Sequence, residues 1–231
     1  DGGWVLDIAD LRAAREGRAW EMEGLGVVFA EGDEGRTVRI GGDFLPIDEL
    51  VALAALHPVA AQGAGGRIVS LSPTGELVDF GFSLRLPREG GPEYQVNGEL
   101  RRLGFDPHDS LPGIQGASAQ IAIDTNGGQA LIDSVGLRLD YPALFDEAIV
   151  VDATEGRITW TLGVDGVAVV AEDLRLHNSD IRAWGGFNLR LAGEESSLDL
   201  AIDYADGDGK STARYLPRTL PPPTYKSLAR S

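Results

Sequence analysis

Apolar and polar residues alternate strictly in series that recur along the chain, and this limits it to a protein built mainly from strands. Phe80, Phe82, Leu84 and Leu86 form one series, and Ala119, Ile121 and Ile123 another. Val135, Leu137, Leu139 and Tyr141 follow, then Ile158, Trp160 and Leu162, then Leu174 and Leu176. The pattern closes with Phe187, Leu189 and Leu191, and with Leu198, Leu200, Ile202 and Tyr204. Arg, Asp, Glu, Ser and Thr fill the positions between, so each series predicts a strand with one apolar and one wet face.

Asn126-Gly127, Asp165-Gly166 and the Asp206-Gly207-Asp208-Gly209 stretch supply the residues that tight hairpin turns need, so successive strands are expected to pair antiparallel in a meander. Such short links cannot make parallel crossovers, which removes doubly wound nucleotide-binding folds. One segment reads as a helix, Pro46 to Leu56, with Pro at the first helical position, Asp48 and Glu49 in the first turn and Leu50, Leu53, Ala54 and Leu56 on one face, closed by Pro58. A shorter helix is expected at Leu11 to Glu16, and Pro221-Pro222-Pro223 reads as an extended linker. One or two helices cannot cover about a dozen strands of average length. The sheet must fold on itself, pack on a second sheet, or hold something apolar that is not protein.

Charge narrows the partners. Thirty-six acidic against 20 basic side chains in 231 residues give a net charge of -16, which repels phosphate backbones, so no nucleic acid is expected as a partner. The absence of cysteine removes disulfides, thiolate nucleophiles and Cys-ligated metals, and no cofactor is expected. The longest apolar run, Leu50 to Leu56, is far below the ~18 residues of a spanning helix. The start at Asp1-Gly2-Gly3 and the end at Leu228 to Ser231 read as those of a piece of a longer chain, with any anchor outside it. Residues 1–231 are expected to form one continuous β segment, with 1–60 and 61–231 as possible sub-modules.

Repetition is faint. Gly66-Arg67-Ile68 precedes Leu84-Arg85-Leu86 by the offset at which Gly156-Arg157-Ile158 precedes Leu174-Arg175-Leu176. Leu-Arg-Leu recurs at 137–139 and 189–191. Each copy puts a cation on one face of its strand and two leucines on the other. Repeated hairpins of this kind mark a quasi-one-dimensional array.

Several segments resemble a known family. They are Leu71-Ser72-Pro73-Thr74-Gly75-Glu76-Leu77 ahead of a Phe-rich strand, Leu111-Pro112-Gly113-Ile114-Gln115-Gly116, Gly156-Arg157-Ile158-Thr159-Trp160, Leu176-His177-Asn178-Ser179-Asp180, and Leu198-Asp199-Leu200 with Tyr215-Leu216-Pro217 downstream. Together they look like the periplasmic region of the bacterial AsmA-like proteins of the YhdP type. The likeness runs from about Asp43 to the C-terminus, and Tyr225-Lys226-Ser227-Leu228 matches only partly the apolar residue and Leu that usually follow Tyr-Leu-Pro.

The resemblance implies a chain anchored in the inner membrane of a Gram-negative bacterium through parts outside this segment, and a sheet that crosses the periplasm. It implies a mainly β fold, a long twisted antiparallel meander bent into a groove with one or two short helices. It further implies a non-enzymatic role in carrying phospholipid toward the outer membrane, with acyl chains and adjacent modules of the same chain as partners. The expected groove lining is Phe80, Phe82, Leu84, Leu86, Ile121, Ile123, Leu137, Leu139, Ile158, Trp160, Leu162, Leu174, Leu176, Phe187, Leu189, Leu198, Leu200 and Ile202. Apolar walls of this kind remove acyl surface from water at ~0.8 kcal/mol per CH₂ and make no directional bonds, so a lipid can slide. The first and last strands, near Trp4 to Ile8 and Leu198 to Tyr204, are expected to be open edges that pair with neighbouring modules.

The alternative is a closed-core structural or adhesin-like β module in which these residues pack on each other. Catalytic candidates are weaker. His108-Asp109-Ser110 are adjacent and cannot converge as a triad, so they read as a surface loop. His57 reads as a helix C-terminal cap and His177 as a solvated strand end near Asp173 and Asp180. Asp203, Asp206 and Asp208 lack calcium-loop spacing. Gly63-Ala64-Gly65-Gly66 precedes a strand, and so lacks the helix N-terminus of a phosphate cradle.

Overall fold

A computed structural model of the chain describes residues 2–15, 17–55, 70–108, 112–143, 145–164, 166–192 and 196–205. Strands β1 (Gly2–Ile8), β2 (Leu11–Arg15), β3 (Arg18–Met22), β4 (Leu25–Gly32) and β5 (Gly35–Pro46) lead into the helix α1 (Ile47–Ala55). After it come β6 (Thr74–Pro87), β7 (Glu93–Phe105), β8 (Gly113–Asp124), β9 (Gly127–Asp140), β10 (Ile149–Gly163), β11 (Gly166–His177), β12 (Arg182–Leu191) and β13 (Ser197–Ala205).

Eleven strands make one sheet in the order β1-β4-β5-β6-β7-β8-β9-β10-β11-β12-β13, and every pairing is antiparallel. The sheet is the expected meander with one insertion, the two-stranded β2–β3 hairpin between β1 and β4. It is not closed: β1 and β13 stand at opposite ends of the order, and the hairpin is the only other sheet among the described residues. Among the described residues neither the barrel nor the sandwich needed by a closed-core module is formed.

Local chemistry explains the elements and corrects three expectations. Leu11 to Arg15 is a strand and not a helix: Gly17, at φ +80°, turns the chain so that Leu11 pairs with Met22 and Ala13 with Trp20. Leu, Arg and Ala favour helix, but here the tertiary seat of the hairpin overrides a propensity of tenths of a kcal/mol per residue. Helix α1 starts one residue later than expected, because Pro46 closes β5 opposite Glu76. Among its described side chains Ile47 and Glu49 are buried, and Leu50 is 43% exposed. In the third case, the β8–β9 loop is Thr125-Asn126, with Asp124 paired to Gly127. The Asp124 carboxylate accepts hydrogen bonds from the N–H groups of Asn126 and Gly127 at 2.7 and 3.1 Å, so an aspartate holds this turn where Asn-Gly was expected to.

Three bulges share one construction. Asp79, Arg102 and Asp173 adopt left-handed backbone at φ +48°, +51° and +51°. Each precedes a large apolar residue, Phe80, Leu103 and Leu174, and each pair faces a single glycine on a neighbouring strand: Gly98, Gly75 and Gly156. Such bulges bend the strand and increase its twist. The expected Gly66-Arg67-Ile68 repeat, the Pro58 stop, the proline run and the Asp206 to Gly209 turn lie outside the described residues.

Candidate functional site

The register joins residues of all eleven strands into continuous cross-strand rows. One row runs Leu6, Val27, Ile40, Phe82, Val96, Ile123, Gly128, Trp160, Val169, Leu189, Leu198, and no polar side chain interrupts it. The next row, on the other face, reads Arg39, Ser83, Gln95, Asp124, Gly127, Thr161, Ala168, Arg190, Ser197 from β5 to β13. At ~4.8 Å per strand the apolar row is about 48 Å long.

Further rows widen it into a band. Ile121, Ala130, Ile158, Ala171, Phe187 and Leu200 align across β8 to β13. Leu45, Leu77, Leu100, Ala119 and Ile132 align across β5 to β9, and Leu174, Gly185 and Ile202 across β11 to β13. Trp4, Phe29, Val38, Leu84 and Tyr94 form a row on the opposite side of the first, with Trp4 stacked on Phe29 at 5.8 Å. Four rows at two residues per step span about 20 Å.

Large side chains fill the places where glycine interrupts a row. The Phe80 ring lies beside Gly42, and Leu174 crowds Gly156. Trp160 lies over Gly128, where a Cβ would stand 2.6 Å from indole Cζ2. The apolar surface therefore continues across these three gaps.

Of the expected lining, Phe80 is buried. Phe82, Leu84, Ile121, Ile123, Leu137, Leu139, Ile158, Trp160, Leu174, Leu176, Phe187 and Leu189 are half-buried, while Leu86, Leu162, Leu198, Leu200 and Ile202 are exposed. Leu137 and Leu139 keep step with the others because the phase of burial in β9 slips by one at Gly136, at φ +71°. Sequence reasoning missed Leu6, Val27, Ile40, Val96 and Val169. The signal was present in Val38-Arg39-Ile40, but the unbroken run Val167 to Val170 hides which residues face inward.

Two regions of the band differ. Over β4 to β8 it is covered by the hairpin and the helix: Met22, Ile47, Leu77 and Phe80 are buried together, with Trp20, Leu25, Ile40, Leu45, Val51, Leu100 and Ile121 packed around them. Toward β13 the buried hydrophobic residues are the small Val151, Ala171 and Ala183, and the face stays open at Leu198 (61% exposed) and Leu200 (59%). The most enclosed side chain is polar: Ser134 accepts a hydrogen bond from Ser118 N–H at 2.8 Å and donates to Ser118 C=O at 2.9 Å.

Ion pairs hold the opposite face, as in Arg85–Glu34 at 2.8 Å, Arg101–Glu99 at 2.8 Å and Arg175–Glu155 at 3.0 Å. At the hairpin exit the Asp43 carboxylate accepts hydrogen bonds from Glu23 and Gly24 N–H, both at 3.1 Å. Desolvation pushes the Asp43 carboxyl up, but the backbone N–H groups of Gly24, Glu23, Asp43 and Phe44 outweigh it and hold it below the ordinary aspartate value.

Among the described residues the catalytic candidates do not assemble. His177 ends β11 in register with Ala153 and Arg182, and Asp173 belongs to the bulge. Asn178 organises the turn beyond, its Oδ1 accepting from Asp180 and Ile181 N–H at 3.0 Å each. Among the described residues no group of three His, Cys, Asp or Glu is arranged to hold a metal, and no helix is long and apolar enough to cross a membrane. His57, Asp109, Ser110, Asp206, Asp208 and the Gly63 to Gly66 stretch lie outside the described residues.

Fold and face together define an open, single-layer antiparallel sheet with a continuous apolar band on one side. Compared with known families, residues 1–230 match the family described as YhdP protein, and the chain belongs to that family. No curated protein and no solved structure matches it. The motif Pro112-Gly113-x-x-Gly116 is structural: a Cβ at Gly113 would stand 2.5 Å from the Pro107 ring, and Gly116, at φ +81°, would bring one to 3.0 Å from the Gly136 carbonyl.

Proposed function

We propose that this chain is a segment of a periplasmic AsmA-like protein that conducts phospholipid between the inner and outer membranes, its acyl chains lying on the apolar band. The observation that carries the reading is the eleven-strand row from Leu6 to Leu198, which is apolar throughout and which, apart from the β2–β3 hairpin and α1 over its β4 to β8 part, faces no other layer among the described residues. A protein that kept such a band for its own core would bury it; here its β13 end is more than half exposed. The band's width of about 20 Å exceeds the ~15 Å that the acyl chains of one leaflet occupy, half of a ~30 Å hydrocarbon core. Headgroups ride in water at the strand ends.

The reading includes an anchor in the inner membrane supplied from outside this segment, continuation of the sheet into adjacent modules at β1 and β13, and no catalytic step or nucleic-acid partner. Native mass spectrometry of protein purified gently from Gram-negative cells, followed by organic extraction, tests it. Phospholipid that co-purifies and is released by extraction is the expected result; a lipid-free mass under the gentlest preparation overturns it.

A further inference from the structure

The β2–β3 hairpin stands apart from the main sheet in its bonding but lies on the apolar band. It places Met22, 2% exposed, against Leu77 and Phe80, the part of the band that β5 to β7 would otherwise present. Two ion pairs tie its tip to the first turn of α1: Arg15 Nε to Glu49 Oε2 at 2.9 Å and Arg18 Nη1 to Asp48 Oδ2 at 2.8 Å. Helix α1 follows β5 without a break, so it is a fixed post. The hairpin's exit is pinned by the Asp43 carboxylate. The hairpin is thus held to the sheet by its two ends, one apolar seat and two ion pairs, one half-buried and one exposed.

We propose that the β2–β3 hairpin is a gate over the apolar band, seated through Met22 and latched to α1 by Arg15–Glu49 and Arg18–Asp48, which lifts to admit acyl chains to the β5–β7 part of the band. This rests on the acyl-chain reading of the face. The latch is graded: Arg18 is exposed where it meets Asp48, so that pair is weak and screened by salt, whereas Arg15–Glu49 is half-buried on a buried glutamate and holds the closed state more firmly. Lipid supplies the difference between the states, since acyl chains can replace Met22 on its seat only when the hairpin is up.

Met22 is the only methionine in the chain and therefore a built-in reporter. The test is its oxidation by hydrogen peroxide in the full 231-residue chain, followed as sulfoxide by mass spectrometry. The expected result is slow oxidation at low salt, rising several-fold in Arg15→Glu/Arg18→Glu and in the unmodified chain at high salt, where no substitution can have misfolded it. Arg15→Glu combined with Glu49→Arg restores protection. Vesicles of phosphatidylethanolamine and phosphatidylglycerol should also raise the rate, and bridging Arg15→Cys to Glu49→Cys with a bismaleimide should keep Met22 protected and reduce uptake of a fluorescent phosphatidylethanolamine. Oxidation unchanged by charge reversal and salt overturns the latch. Lipid uptake with Met22 still protected overturns the gate while leaving the band as an acyl site. Failure of every variant to take up lipid overturns the acyl reading itself, and with it the gate.

Discussion

The Trp160 indole lies over the backbone of Gly128, its cross-strand neighbour, so that one residue supplies the apolar surface of two strands. A methyl group at 128 would stand 2.6 Å from indole Cζ2 and 2.7 Å from the Ala122 carbonyl oxygen. The ring can swing aside, but the backbone cannot. Gly128→Ala should therefore destabilise the chain by ~1–3 kcal/mol, although alanine is the better residue in most strands. A lowered urea midpoint with an unchanged slope is the expected measurement.

The two faces can be told apart by tryptophan. Trp160 belongs to the apolar row, whereas Trp184 pairs in register with Arg175 and Asp203 on the opposite face. In variants keeping one of these two as the sole tryptophan, phospholipid brominated on its acyl chains should quench Trp160 strongly and Trp184 little. Equal quenching of both would mean that lipid does not select the apolar face.

Charge placed on the band should act differently on its covered and its open part. At Phe80, buried with Met22 and Leu77, an aspartate loses its water without gaining a partner, so Phe80→Asp should cost several kcal/mol of a stability of ~5–15 kcal/mol and leave much of the chain unfolded. At Leu198, 61% exposed, the carboxylate stays hydrated, and Leu198→Asp should melt within ~0.5 kcal/mol of the parent while retaining less co-purified lipid. The half-buried Leu139 should behave more like Leu198, losing at most the ~1.5–3 kcal/mol of its aliphatic transfer. Thermal melts and lipid extraction of the same three samples decide the matter.

Much of this was legible in the sequence, because a period of two survives any amount of bending. Phe82, Ile123, Trp160 and Leu189 could be assigned to one face before their partners were known, since alternation fixes sides without fixing neighbours. Register could not be read so directly. Asp79, Arg102 and Asp173 each insert an odd residue, and nothing in Val78-Asp79-Phe80 says that the chain turns left-handed there. The hairpin was illegible for a different reason. Leu11-Arg12-Ala13-Ala14-Arg15 has the composition of a helix, and only contact with a distant Phe80 and Leu77 favours the strand. The same long-range seat explains why Met22, flanked by two glutamates, gave no sign of being among the most buried residues.

Asp43 links stability to pH. Its carboxyl is held below the ordinary aspartate value in the folded chain, so the charged form is favoured by folding. That contribution is fully present above the unfolded value and is lost as pH falls through the lower folded one. The stability difference between the parent and Asp43→Asn should therefore be constant from neutral pH down to about 5 and shrink below about 4, where the unfolded carboxyl takes up its proton. Urea titrations at a series of pH values would show it; a difference that grew on acidification would have the wrong sign.

The rows also govern how this protein can gain or lose residues over generations. One residue inserted in the middle of a strand sends every side chain beyond it to the opposite surface, and the rows that cross that strand, one of them shared by all eleven strands, would be interrupted there. Asp79-Phe80 opposite Gly98 shows the remedy, a left-handed residue that absorbs the odd position and returns the next side chain to its side. Strands of this sheet should thus differ from their counterparts in related chains by even numbers of residues, and where an odd number occurs, a residue in left-handed backbone facing a glycine, as Asp79, Arg102 and Asp173 do, should mark the place.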